Sequence, residues 1–352
     1  MSGWDFTASS ATRQLPQQIA KLLAAAQAAG QAAGGTSRLK VWSLEKLTLY
    51  RYRPLLQAAP LPSRPLLVCF ALVNRPTVLD LQPDRSLVRV LLESRRDVYL
   101  IEWGDPDAAD RVLALDDYVE RYLGGCVRHL LRAHRVEAVD LLGVCQGGTL
   151  ALCYAALHPQ QIAQLITLTT PVDFQTGEDM LSKWVRGVDI EPLTRAGNVP
   201  GALLNRLFLA LRPFSQGPLR YLKWLEQPPQ PAALAQFARL QRWIYDNPDQ
   251  PATAFRQFVQ WMYQENRLVR GTLELAGQRV QLARIVQPLL NLYALRDHIV
   301  PPEASIALAQ HISSQDYLAH GIDAGHIGLY ASQRSFTELA RLVGSWLQEH
   351  RR

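Results

Sequence analysis

The segment Val139-Asp140-Leu141-Leu142-Gly143-Val144-Cys145-Gln146-Gly147-Gly148 constrains the fold more than any other part of the chain. A short apolar run with strand character ends at Gly-x-Cys-x-Gly, and residues 147–157 then read as a helix. A chain that turns this sharply from strand into helix leaves its central residue in a strained backbone region. Glycines two before and two after it let the elements approach without Cβ clashes. Gly143 and Gly147 hold those places, and Gly148 follows as a third small residue. The turn sets the Cys145 side chain at a helix N-terminus, where the helix field favours a thiolate and the amide of Gln146 can point at an oxyanion. Cys145 is therefore the candidate nucleophile. Cys153 lies inside the apolar helix, Cys69 in a core strand and Cys126 on a helix, and all three read as structural.

The surrounding pattern alternates strands with helices. PLLVCFAL (65–72), DVYLIEW (97–103), AVDLLGV (138–144) and QLITLTT (164–170) are short apolar runs, and strand signals begin near residue 46. Helices are predicted at 116–133, 147–157, from about 302, and at 333–349. This alternation predicts an α/β fold, a mostly parallel central sheet flanked by helices. Over 174–284 it stops, giving way to helical segments rich in Trp and Phe with no clear buried strand. PLLNLYAL (288–295) resumes it. The expected organisation is a core of 38–173 and 285–352, of the α/β-hydrolase type, with a helical cap or lid inserted at 174–284. Leu15, Ile19, Leu22, Leu23 and Ala26 fall at helical spacing, so residues 1–37 read as an N-terminal helical arm and a glycine-bearing linker.

In α/β-hydrolase folds the triad follows the chain order nucleophile, acid, base. Asp297 stands directly after the strand NLYALR, and His326 lies in the loop DAGHIGLY between Gly325 and Gly328. Cys145, Asp297 and His326 form the expected catalytic triad. His298 adjoins Asp297 and is expected to point away from it as a supporting group, while Asp323 comes too late in the order to be the acid. A second oxyanion donor belongs in the loop after the first core strand, where the amide of Val73 or of Asn74 is the candidate.

Composition narrows the functional classes. With 37 Lys and Arg against 31 Asp and Glu, the net charge is +6 without any long basic run. That suits a polyanionic metabolite as well as nucleic acid, but no zinc knuckle, recognition helix or stacking motif accompanies it, so no nucleic-acid partner is expected. No paired-ligand spacing predicts a metal, and no other cofactor is expected. The cysteines form no C-x-x-C pair, and no leader or spanning run is evident, so a reduced, cytoplasmic protein is expected.

Cysteine in place of serine carries its own chemistry. An acyl group passed from a thioester to a thiol remains a thioester, so it keeps its activation for a later nucleophile. Acyl transfer from an acyl-coenzyme A fits this better than hydrolysis, and a large cap would keep water from the intermediate.

The chain resembles the catalytic subunit of a class III, two-subunit polyhydroxyalkanoate synthase from about residue 40 onward. The likeness rests on FALVNRPTVLDLQPDRS, VYLIEWG, the lipase-like box GVCQGG, TTPVDF, PFS, FRQF, RDHIVPP and AGHIG. Ala324 departs from it where a second glycine would be usual. The resemblance implies an α/β-hydrolase core with a cap, and Cys145 as acyl carrier with His326 as base. Asp297 would partner His326 or activate the substrate hydroxyl. It implies (R)-3-hydroxyacyl-coenzyme A substrates, usually short-chain such as 3-hydroxybutyryl-coenzyme A, with coenzyme A as substrate portion and not cofactor. It also implies a second synthase subunit, a homodimer through the cap, and residence on cytoplasmic polymer granules. Two other readings stay open, a cysteine-dependent acyl-coenzyme A thioesterase and a non-catalytic granule-associated protein.

Overall fold

A computed structural model describes residues 24, 35–55, 64–176, 180–210 and 230–351. The predicted N-terminal helix, apart from residue 24, and the PFS motif lie outside them. Eight strands build the central sheet: β1 (Arg38–Leu44), β2 (Leu47–Tyr52), β3 (Leu66–Cys69), β4 (Val98–Glu102), β5 (Val139–Val144), β6 (Ile162–Leu168), β7 (Leu289–Ala294) and β8 (Tyr317–Ile322). Their order is β1-β2-β4-β3-β5-β6-β7-β8. From β4 to β8 every pairing is parallel, and β1 and β2 add an antiparallel edge.

The central strands form because both of their faces are covered. In β3, Leu67 and Cys69 enter one apolar cluster and Leu66 and Val68 the other, the period-two alternation of a pleated strand. One face packs against α2 (Gly124–His134), which continues a wide helical turn at Asp117–Leu123, and against α3 (Gln146–Leu157). The other face packs against α1 (Leu87–Glu93) and α11 (Gln333–Glu349). Helix α11 buries Phe336, Leu339, Val343, Trp346 and Leu347 along one stripe. Each such side chain contributes roughly 1.5–3 kcal/mol relative to exposure.

A buried cation ties this layer to the sheet. Arg96 lies in the turn before β4 and donates from Nη1 to Asp140 Oδ2 on β5 at 2.7 Å. From Nη2 it donates to the Leu347 and His350 carbonyls at 2.8 and 3.0 Å, closing the C-terminal end of α11.

Between β6 and β7 the chain forms α4 (Met180–Arg186), α5 (Glu191–Arg195), α6 (Gly201–Ala210), α7 (Pro231–Tyr245) and α8 (Ala252–Gln257). Ala254, Phe258, Met262, Leu268, Leu273, Leu275, Val280 and Leu282 join the same apolar cluster as α2 and α3. A two-residue hairpin, Glu274–Leu275 with Gln278–Arg279, lies in this stretch although the sequence shows no strand there. Strands this short carry no readable alternation. After β7 come α9 (Pro302–Ile306) and, beyond β8, α10 (Gly328–Ala331). No helix among the described residues is long and apolar enough to cross a membrane.

Candidate active site

Four loops converge at the C-terminal ends of the parallel strands: those after β3, β5, β7 and β8. This is the edge at which open α/β sheets bind their ligands.

Cys145 follows β5 and precedes α3 at φ 53, ψ −126, a left-handed conformation for a residue with a Cβ. Its amide donates to the Leu168 carbonyl on β6 at 2.8 Å, and its carbonyl accepts from the Gly148 amide at 2.9 Å. The elbow closes only over glycine. A Cβ on Gly143 would overlap Gly148, and one on Gly147 would overlap the backbone of Cys69 and Phe70. Among the four cysteines Cys145 alone is partly exposed. Burial pushes the Cys153 thiol up to about 12 and raises those of Cys69 and Cys126 far above their ordinary value, so none of the three readily ionises.

Asp297 follows β7 and is fully enclosed. Its Oδ1 accepts from the amides of Ile299 and Val300 at 2.9 and 3.0 Å, and its Oδ2 lies 2.6 Å from His326 Nδ1. The two loops are stitched together, since the Arg296 amide donates to the Ala324 carbonyl at 2.8 Å. Burial acts to depress the His326 imidazole, but the charge of Asp297, the proximity of Cys145 and the hydrogen bonds to both outweigh it. The imidazole is held well above its ordinary value. Gly325 and Gly328 are not demanded by geometry: a Cβ at either position meets only ordinary van der Waals neighbours, and neither has positive φ.

Cys145, His298 and His326 line one cavity of about 100 Å³ whose other walls include Phe70, Phe208, Trp243 and Ile299. His298 thus faces the cavity while the neighbouring Asp297 carboxylate lies behind His326. Asp323 is half exposed and paired with Arg296 at 2.8 Å, away from the imidazole.

The loop after β3 separates the two sequence candidates for a second oxyanion donor. The Asn74 amide donates to Asn247 Oδ1 at 2.9 Å, so it is already used. The Val73 amide has no protein acceptor among the described residues, and Val73 lines the cavity. Gln146 has a part that its position did not reveal: its Oε1 accepts from the Leu72 amide at 3.0 Å, fastening the loop to the residue after Cys145. Trp243, Asn247 and Gln250, which contact the same loop from the far side, have no motif of their own and were invisible in the sequence.

The chain's similarities agree with this architecture. Residues 65–331 match the family model described as alpha/beta hydrolase fold. Over 341 residues the chain is 45% identical to the poly(3-hydroxyalkanoate) polymerase subunit PhaC of Allochromatium vinosum, covering 96% of this chain and 95% of that one. It is 42% identical to the protein of the same name from Thiocystis violacea, over 96% and 94% of the two chains. For that of Synechocystis the identity is 40%, over 90% and 85%. Among solved structures, a bacterial membrane phospholipase A aligns with TM-score 0.55 at 18% identity over 97% and 95% of the two chains. A Thermogutta terrifontis esterase aligns with TM-score 0.54 at 17% identity over 90% and 100%.

Proposed function

The chain belongs to the PhaC family of poly(3-hydroxyalkanoate) polymerases, acyltransferases of the α/β-hydrolase fold, and we propose that it polymerises through acyl chains carried on Cys145. The observation that carries this reading is the 2.6 Å pairing of Asp297 with His326 beside a cavity that also holds the strained Cys145.

In the first step Cys145 Sγ attacks the carbonyl carbon of a 3-hydroxyacyl-coenzyme A while His326 takes its proton. The oxygen gains negative charge opposite the amides of Val73 and Gln146. Collapse breaks the bond to coenzyme A, whose sulfur leaves with the proton from His326. One thioester has become another, so little driving force is lost. In the second step the hydroxyl of a further 3-hydroxyacyl unit attacks the Cys145 thioester. His326 accepts the hydroxyl proton and returns it to the departing Sγ, an ester bond forms, and the elongated thioester re-enters by the first step. An alcohol is a far weaker acid than a thiol, so elongation leans harder on an imidazole oriented and charge-balanced by Asp297.

The cavity volume and its aromatic lining support a short (R)-3-hydroxyacyl unit such as 3-hydroxybutyryl. Trp184, Val188, Leu207 and Tyr245 between β6 and β7 are exposed, which supports contact with a second synthase subunit, with a second copy through the cap, or with the polymer granule.

Asp297→Asn tests the division of labour. After mixing with 3-hydroxybutyryl-coenzyme A, intact-protein mass spectrometry should find Cys145 acylated and one equivalent of coenzyme A released, with long polymer nearly absent. His326→Gln should impair both steps. An Asp297→Asn enzyme that elongates as fast as wild type, or carries no acyl group, contradicts the reading.

A further inference from the structure

The loop after β3 is held from two sides. From the core, Gln146 accepts the Leu72 amide. From the segment that ends α7 and leads into α8, three side chains grip it. Gln250 Nε2 donates to the Leu72 carbonyl at 3.0 Å, Asn247 Oδ1 accepts the Asn74 amide at 2.9 Å, and Trp243 Nε1 donates to the Arg75 carbonyl at 2.6 Å. Asn74 returns the grip, its Nδ2 donating to the Trp243 and Ile244 carbonyls at 3.3 and 3.4 Å. Asn74 sits at φ 58, in the left-handed region that asparagine tolerates better than most residues. Val73 is therefore flanked by residues whose backbone groups are tied down, while its own amide has no protein acceptor among the described residues and Val73 itself lines the cavity.

We propose that Asn247 is a positioning residue for the oxyanion site: it touches no reacting atom, but its carboxamide oxygen fixes Asn74 and so aims the Val73 amide. This rests on the reading of Cys145 as acyl carrier and adds that the segment 243–250 completes the site from outside the hydrolase strands. The oxygen is the atom in use, accepting the Asn74 amide, while Asn247 Nδ2 is buried without a hydrogen-bond partner among the described residues. An oxyanion donor acts by being fixed before charge develops, so a donor released by even about 1 Å loses most of its effect. The same α7 also reaches the histidine side, where Gln236 donates to the Ala331 carbonyl at the end of α10. Seating α7 thus bears on both halves of the site.

The test compares Asn247→Ala with Asn247→Asp, which keeps an acceptor for the Asn74 amide. Two rates are measured on each folded enzyme: coenzyme A release from 3-hydroxybutyryl-coenzyme A, and alkylation of Cys145 by iodoacetamide. In alkylation the sulfur–carbon bond forms as iodide leaves and no oxyanion arises. Asn247→Ala should lose about ten- to a hundredfold in kcat with KM and the alkylation rate little changed. Asn247→Asp should recover most of kcat. Gln250→Leu, which releases the Leu72 carbonyl, should show the same split and serves if Asn247→Ala does not fold. Wild-type kcat in Asn247→Ala, alkylation falling in step with kcat, or no recovery in Asn247→Asp would overturn the proposal. A wild-type enzyme that keeps its activity after Cys145 is alkylated would instead overturn the reading of Cys145.

Discussion

The two carboxylate oxygens of Asp297 are divided between structure and His326. Oδ1 is held by the Ile299 and Val300 amides, and Oδ2 is left to His326 Nδ1 at 2.6 Å. The backbone bonds fix the carboxylate in one orientation, and the imidazole inherits it. The acid is thus placed by its own loop, and a substitution that keeps its shape should disturb charge more than geometry.

That relationship sets a pH dependence. With Asp297 present the folded His326 holds its proton well above the ordinary histidine value. A histidine whose folded pKa lies above its unfolded one, about 6.5, adds stability that is full below that value. The contribution fades as pH rises through the folded pKa. Asp297→Asn removes the first of the charges that raise it and leaves the contribution of Cys145. The stability difference between wild type and Asp297→Asn should therefore be largest below about pH 6.5 and shrink at alkaline pH. Denaturant titrations over that range check it, alongside NMR titration of the His326 ring. A ring that titrates as high in the Asp297→Asn enzyme as in wild type would show that Asp297 is not the cause.

The buried Arg96–Asp140 pair makes a second prediction. Burial lowers Arg96 and raises Asp140, in each case outweighing the attraction between them and, for Asp140, that of Arg64. Pairing therefore does not repay the full cost of desolvating both groups. Arg96→Leu leaves Asp140 buried with Arg64 at 3.1 Å as its remaining cationic partner among the described residues, and at the end of α11 it strips Arg96 from the Leu347 carbonyl and leaves the His350 carbonyl to Gln164 Nε2 at 3.1 Å. It should lose about 3–5 kcal/mol in chemical denaturation. Arg96→Met combined with Asp140→Leu should recover a large part of this, and a single variant within about 0.5 kcal/mol of wild type would refute the account.

Gly147 offers a steric test with an internal control. Gly147→Ala drives a methyl into the backbone of Cys69 and Phe70, whereas a Cβ on Gly187 has nothing within 4 Å among the described residues. The first should cost roughly 1–3 kcal/mol and most of the activity, because strand and helix must part at the elbow. The second should be neutral or stabilising by up to about 1 kcal/mol. Equal effects in thermal melts would mean that the elbow tolerates expansion.

Much of this was legible in the sequence because it is local. The elbow is a contiguous steric motif, and the buried strands read as apolar runs since both faces are covered. Helix 333–349 matches its predicted limits. β1 escaped notice because its residues are half exposed and among the described residues it pairs on one side only, and β8 because its edge position interrupts the apolar run. Within the candidate site, chain order picked out Asp297 and His326, whose side chains the fold brings to 2.6 Å, but it could not choose between Val73 and Asn74. The contact that distinguishes their two amides is made by Asn247, 173 residues away along the chain. A single carboxamide in a loop has no sequence signature; only the folded contact singles it out.

The most direct measurement is intact-protein mass spectrometry of wild type, Cys145→Ala and Cys153→Ala after mixing with 3-hydroxybutyryl-coenzyme A, with released coenzyme A followed in parallel. Wild type and Cys153→Ala should each gain hydroxyacyl mass that maps to Cys145, because the Cys153 thiol is buried and held up at about 12. Cys145→Ala should gain none and release no coenzyme A above background. Coenzyme A release by Cys145→Ala at near wild-type rate, or hydroxyacyl mass on any other residue, would contradict Cys145 as the acyl carrier.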